Sequence, residues 1–154
     1  MFAATRAGVM TAKKPGFRYW RIRVTDQVQS GAGAELAEVE FRSSIGGADL
    51  TNPSTSVSAS IKTYPPNPAS NLVDNSTSTS WDSEAVATYP YTLTFDFVVP
   101  VDPKELAIYP NSSAQFQAPK NFSVQASVDG VKFNTIKSFT GVTSWAASFS
   151  TFAL

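Results

Sequence analysis

The chain of 154 residues contains no cysteine and no histidine. Without cysteine there is no disulfide framework, no thiolate zinc site and no thiol nucleophile. Without histidine the commonest general base and the commonest metal-ligating nitrogen are both missing, which excludes most hydrolytic triads and zinc sites. No run of about 18 apolar residues occurs, so no segment is expected to span a membrane. Residues 1–16 carry Arg6, Lys13 and Lys14 without a continuous apolar stretch, a poor secretory signal. Charge is scarce at 16% of residues, and arginine does not occur after Arg42.

What remains is 42% hydrophobic and 12% aromatic, enough for one domain with a real core. Abundant Ser, Thr, Ala and Val, with so few charges, favour half-buried strands over exposed helices. The net charge of zero conceals an asymmetry. Arg6, Lys13, Lys14, Arg18, Arg21 and Arg23 precede the first acidic residue, Asp26, so the rest of the chain is acidic. A basic leading arm on an acidic body would dock onto an acidic neighbour, or it is simply an exposed strand face and a loose tail. With a pI near 6.2 the body is a poor nucleic-acid binder.

The pattern is one of strands. In residues 17–25, Tyr19, Arg21 and Arg23 alternate with Trp20, Ile22 and Val24. Residues 36–42 repeat this, with Val39 and Phe41 against Glu38 and Glu40. Val57, Ala59 and Ile61 mark a third strand, ended by a Pro-rich stretch at 64–68 that no helix or central strand tolerates. Leu93, Phe95 and Phe97 alternate with threonines and Asp96, and Leu106 and Ile108 follow a Pro100–Pro103 break. Phe122, Val124, Ala126 and Val128 run into Asp129-Gly130, a strong hairpin signal, and the chain returns to Phe139 before a last segment at 145–152. About eight short strands between Gly, Pro, Asn and Ser turns predict an all-β fold, an antiparallel β-sandwich or jelly roll. The arm at 1–16 stands apart from a sandwich at 17–154.

Residues 69–81 form the most informative loop. One carboxylate, Asp74, sits among hydroxyl and amide side chains, and the loop closes on Trp81. Such oxygen-rich loops suit a hard cation such as calcium, which takes six to eight oxygen ligands. The same residues also suit an Asx-turn in which Asp74 and Asn75 bind their own backbone.

Three segments in order, Asp74-Asn75 leading to Thr79-Ser80-Trp81, Tyr91 through Phe97, and Pro119 through the Asp129-Gly130 turn, resemble the discoidin-like, galactose-binding-like domains. That family carries an Asp-Gly-x-x-x-Thr-x-Trp segment, an alternating aromatic strand and a Pro-x-x-Phe-x-Val-Gln-x-Ser-x-Asp-Gly hairpin. Asn75 replaces the usual glycine, and Asn is the next best residue for a left-handed backbone. The strands at 19–24 and 36–41 look like the family's last strands placed first. The order is therefore that of a circular permutation, similar to small accessory proteins and modules of tailed bacteriophage particles. Permutation is cheap where sandwich termini lie close together.

The resemblance implies a calcium site made by the Asn71 carbonyl, the Asp74 carboxylate, the Ser76 carbonyl, Thr79 and a terminal-strand glutamate. Glu38 is preferred over Glu40, although alternation puts both on one face. It also implies carbohydrate binding at one end of the sandwich, with Tyr64, Tyr89, Tyr91, Phe116 and Trp145 as candidate aromatic platforms and Asn111, Gln115 and Gln117 beside them. Trp20 and Trp81 are expected in the core.

No catalytic residues are assigned. Asp74, Asp82 and Glu84 offer paired carboxylates for glycoside hydrolysis, but the loop already claims Asp74. The resemblance points first to a non-enzymatic structural or accessory protein of a virion, decorating or adhesive, with other virion proteins of capsid or tail as partners. The alternative is a free-standing lectin-like module for a cell-surface glycan.

Overall fold

The computed structural model describes residues 16–154. The arm expected at 1–16 therefore lies, except for Gly16, outside the described residues. Ten strands follow in order: β1 (Phe17–Gln27), β2 (Glu35–Leu36), β3 (Glu38–Arg42), β4 (Ser56–Ala59), β5 (Trp81–Asp82), β6 (Tyr91–Val101), β7 (Glu105–Tyr109), β8 (Pro119–Ser127), β9 (Asn134–Phe139) and β10 (Ser150–Ala153). Helix among the described residues is limited to two 3₁₀ turns, Ala69–Val73 and Gln115–Gln117. The fold is the expected antiparallel β-sandwich. Its strand number exceeds eight because β2 and β5 form a two-residue ladder of their own, Glu35 opposite Asp82 and Leu36 opposite Trp81.

A five-stranded sheet in the order β4-β6-β1-β8-β9 faces a three-stranded sheet in the order β10-β7-β3. Period-2 alternation turns Trp20, Ile22 and Val24 of β1 inward with Leu93, Phe95 and Phe97 of β6 and Phe122, Val124 and Ala126 of β8. The facing sheet supplies Val39, Phe41, Leu106 and Ile108. Aromatic contacts tie the layers together, Trp20 to Phe41 at 5.7 Å and Phe41 to Phe95 at 5.2 Å between ring centroids. Trp20 and Trp81 are both core residues, and each indole N–H has a partner, the Phe17 carbonyl at 3.1 Å and Thr63 Oγ1 at 3.0 Å.

The two ends of the described chain meet at one place. β1 begins opposite Val101, and a Cβ on Gly16 would stand 2.2 Å from the Val101 carbonyl oxygen, so the backbones pass too closely there for any larger residue. The Leu154 N–H donates to the Lys104 carbonyl at 2.9 Å. Gly16 and Leu154 thus flank the same β6–β7 connection.

Candidate functional site

The Asp74 loop leaves the 3₁₀ turn Ala69–Val73, whose Leu72 and Val73 are buried and anchor it to the core. Asn75 takes a φ of 62°, the left-handed conformation for which the loop needs glycine or asparagine. Asp74 then acts as an Asx-turn acceptor. Its Oδ1 takes the Ser76 N–H at 2.9 Å and its Oδ2 takes the Thr79 hydroxyl at 2.8 Å. Thr79 Oγ1 also lies 3.1 Å from the Ser76 carbonyl, and the Asn71 side chain donates to the Ser80 carbonyl at 2.7 Å.

β3 brings Glu38 under this loop. Its Oε2 accepts the Ser76 N–H at 3.2 Å, while its Oε1 is buried with no hydrogen-bond partner among the described residues. Glu38 is 1% exposed, and burial pushes its carboxyl up to about 8. The Ser76 N–H counters that rise, and repulsion from Asp74, Asp49 and Glu40 adds to it. The structure also separates the two glutamates that alternation leaves together. Glu40 is engaged by Arg42 Nε at 2.6 Å, whereas Glu38 faces the loop.

Glu38, Asp74, Ser76 and Thr79 are therefore in one place, with Asn71 at its rim. The set is two carboxylates with hydroxyl and carbonyl oxygens. No group of three or more His, Cys, Asp or Glu suited to a metal occurs among the described residues. The donors fit calcium, a hard cation satisfied by neutral oxygens as well as charged ones, and not zinc. The buried, unpartnered Oε1 of Glu38 is the feature that a cation would satisfy.

A hydrogen-bonded network leads from this loop to one end of the sandwich. Ser80 Oγ donates to Asp82 Oδ1 at 3.1 Å, and Asn67 donates to Asp82 Oδ2. Asp82 lies opposite Glu35 in the β2–β5 ladder, and Asn111 donates to Glu35. Burial raises the Glu35 carboxyl, and the neighbouring Asp82 charge raises it further. Exposed aromatics border this network. Tyr64, 46% exposed, donates its backbone N–H to the Asp82 carbonyl. Phe116, 41% exposed, sits in the 3₁₀ turn that follows Asn111. Beneath them buried Gln27 acts as a bracket, donating to the Gly33 carbonyl at 2.9 Å and to the Gln117 carbonyl while accepting the Tyr89 hydroxyl. A groove of about 340 Å³ between residues 60–62 and 83–88 opens beside the β5 loop.

Two of the candidate platforms are corrected by the fold. Tyr91 is 0% exposed because it shares its strand face with Leu93, Phe95 and Phe97. Trp145 is 8% exposed, packs against Phe152 at 5.9 Å and donates its indole N–H to the Pro119 carbonyl at 3.2 Å. Neither can offer a ring face to a sugar. Tyr89 is half-buried with its hydroxyl committed to Gln27, which leaves Tyr64 and Phe116 as exposed rings. Sequence reasoning missed Glu35, Asn67 and Gln27. Their signal was weak: Gln27 and Glu35 are polar residues at strand ends, and Asn67 lies in a Pro-rich loop.

A family model described as the F5/8 type C domain matches residues 53–151. No curated protein and no solved structure matches the chain. No helix among the described residues is long and apolar enough to cross a membrane, which leaves β-barrels unaddressed. The matched region is well over half of the chain and contains the Asp74 loop, the β6 strand and the Asp129-Gly130 hairpin, so the chain belongs to the F5/8 type C, discoidin-like family.

Proposed function

We propose that this protein is a non-catalytic carbohydrate-binding module whose loop end is braced by calcium. The observation that carries the reading is the unpartnered Oε1 of Glu38 beneath the oxygen-rich Asp74 loop, which runs directly into the network bordered by Tyr64 and Phe116. Calcium would be held by the Glu38 and Asp74 carboxylates with oxygens of Asn71, Ser76 and Thr79. It would supply positive charge that offsets the buried Glu38 anion and fixes the loop. Tyr64 and Phe116 would offer ring faces to a sugar, and Asn67, Asn111 and Gln117 amide donors and acceptors. Two tests apply. Millimolar calcium is expected to raise the melting temperature and EDTA to lower it, with the response lost in Asp74→Ala. A glycan array is expected to give a signal that Tyr64→Ala weakens without unfolding. An unchanged melting curve returns Asp74 to a purely self-capping role, and a blank array removes the lectin reading.

A second reading is a decorating or adhesive subunit of a virus particle, similar to accessory modules of tailed bacteriophages. Strand order supports only the permuted arrangement on which this reading rests. The family match begins at residue 53, yet β1, the central strand of the larger sheet, precedes it. With Gly16 and Leu154 flanking one connection, this is the arrangement a circular permutation would leave. Residues 1–16 would then anchor the module to an acidic neighbour in the capsid or tail. Its test is the recovery of the protein in purified particles.

A further inference from the structure

The outer face of the five-stranded sheet holds a charge arrangement that neither reading uses. Strand register places Ser58, Thr94, Arg21, Gln125 and Thr135 in one row across all five strands. The next row on the same face contains Thr92, Arg23, Ser123 and Ser138. Two arginines thus stand two residues apart at the centre of the sheet, about 7 Å along β1, on a floor of hydroxyl and amide side chains.

Both arginines are half-buried, and neither has a carboxylate partner. The ion pairs of the described residues go to Arg18, Arg42, Lys62, Lys104 and Lys120. All twelve acidic residues lie among the described residues, and residues 1–15 contain none that could be supplied from there. Asp96, the carboxylate on this face, is held by both nitrogens of a fork from Arg18, at 2.7 and 2.8 Å.

Arg21 is also set in position. Its Nε donates to Gln125 Oε1 at 2.6 Å, Gln125 in turn donates to Thr135 Oγ1 at 3.0 Å, and the guanidinium stacks on Phe133 at 3.9 Å from the ring centroid. Arg23 lines a groove of about 180 Å³ whose polar lining is Thr25, Asn121, Ser123, Ser138 and Thr140 and whose apolar lining is Phe122 and Phe139. Burial and the neighbouring Arg23 charge both disfavour the charged form of Arg21. A carboxylate at this face would supply the counter-charge that neither arginine has among the described residues.

We infer that this face is a binding surface for a carboxylate-bearing saccharide laid across the strands, with Arg21 and Arg23 pairing to uronic-acid carboxylates. Guanidinium forks match carboxylates two bonds at a time. Saccharide hydroxyls, which both donate and accept, match the Ser, Thr and Gln floor. An acidic peptide would bring carboxylates to the arginines but few hydroxyls to the Ser and Thr rows beside them, and a uronic saccharide brings both. Neither row includes Tyr64 or Phe116, so variants at Arg21 and Arg23 test this surface independently of that site.

The test is calorimetric titration of the full chain with hexagalacturonate, with neutral maltohexaose and with hexaglutamate. Hexagalacturonate is expected to bind, to weaken as salt rises, and to lose at least tenfold in affinity in Arg23→Gln and in Arg21→Gln. Maltohexaose is expected to give no heat dependent on either arginine, and hexaglutamate to bind at least tenfold more weakly than hexagalacturonate. Two variants guard against misfolding in one, and circular dichroism checks each. Absence of hexagalacturonate binding, or binding that both variants leave intact, overturns the inference. Equal or tighter binding of hexaglutamate also overturns it, in favour of an acidic protein surface.

Discussion

Glu38 offers the sharpest test of how the loop is held. In the folded protein its carboxyl is pushed from an ordinary value of 4.5 up to about 8. Between these values the folded state keeps a proton that the unfolded chain has released, so stability falls as pH rises. At about 1.4 kcal/mol for each tenfold change in proton affinity, the whole interval corresponds to roughly 5 kcal/mol. Against a total of about 5–15 kcal/mol for a domain, that loss would leave the metal-free protein marginal at alkaline pH. Calcium should remove most of the slope by compensating the anion. At ten times its dissociation constant it should also add about 1.4 kcal/mol, or about 3–6 °C in melting temperature for a domain of this size.

Glu38→Gln keeps the shape and removes the titration. In urea denaturation in EDTA, the wild type should lose about 3 kcal/mol more than the variant between about pH 6 and about pH 9. At about pH 6 the wild type should already be about 2 kcal/mol the less stable of the two, because its unfolded chain has released a proton that the folded state keeps, and the two should converge only below about pH 4.5. Asp49 and Glu35, also raised by burial, slope the same way, so the difference between wild type and variant isolates Glu38. The variant should also lose its response to calcium. A wild type equally stable at both pH values in EDTA would show that the Glu38 anion has a partner, and the reasoning would fail.

Tyr91→Phe removes a buried hydroxyl that has no partner among the described residues, so thermal melting should show neutral stability or a gain of about 1 kcal/mol. Trp145→Ala should cost about 3–5 kcal/mol as a core truncation, whereas Phe116→Ala should stay within about 0.5 kcal/mol while losing glycan signal on an array. Deleting residues 2–14 should leave the melting temperature nearly unchanged while lowering incorporation into an assembly. A large loss of stability would make the segment integral to the sandwich.

Alternation made β1, β6 and β8 legible, because each has one face in the core and one outside. Asp129-Gly130 marked the β8–β9 turn, where Gly130 takes a φ of 74°. The break at Ala37 left a short signal, since Leu36 is out of phase with Val39 and Phe41, and tertiary pairing sends Leu36 to β5 and Val39 to β7. Tyr91 could have been placed correctly, since it keeps the parity of Leu93, Phe95 and Phe97. Trp145 carried no such signal, as its burial depends on Phe152 and the Pro119 carbonyl. The preference for Glu38 came from family resemblance. The physical difference from Glu40 lies in the two neighbours, Arg42 on one and the Ser76 N–H on the other.

The family match and the charges that would give this chain its own chemistry occupy different stretches. Residues 53–151 supply the Asp74 loop, the hairpin and most of both sheets. Glu38, Arg21 and Arg23 all lie before residue 53, on β3 and β1. Yet these strands are not appendages, since β1 pairs on both sides with β6 and β8, and β3 pairs with β7. The inner face of β1 is fixed by packing, so variation there is costly. Its outer face contributes little to the core and is free to differ. A central strand thus combines a constrained side, Trp20, Ile22 and Val24, with an open side, Arg21 and Arg23, held in place by the rigid sheet. Ligand recognition placed on the open side needs no loop to order upon binding, which removes one entropic cost of association. The Asp74 loop faces the opposite situation, because its shape depends on satisfying a buried glutamate that it covers.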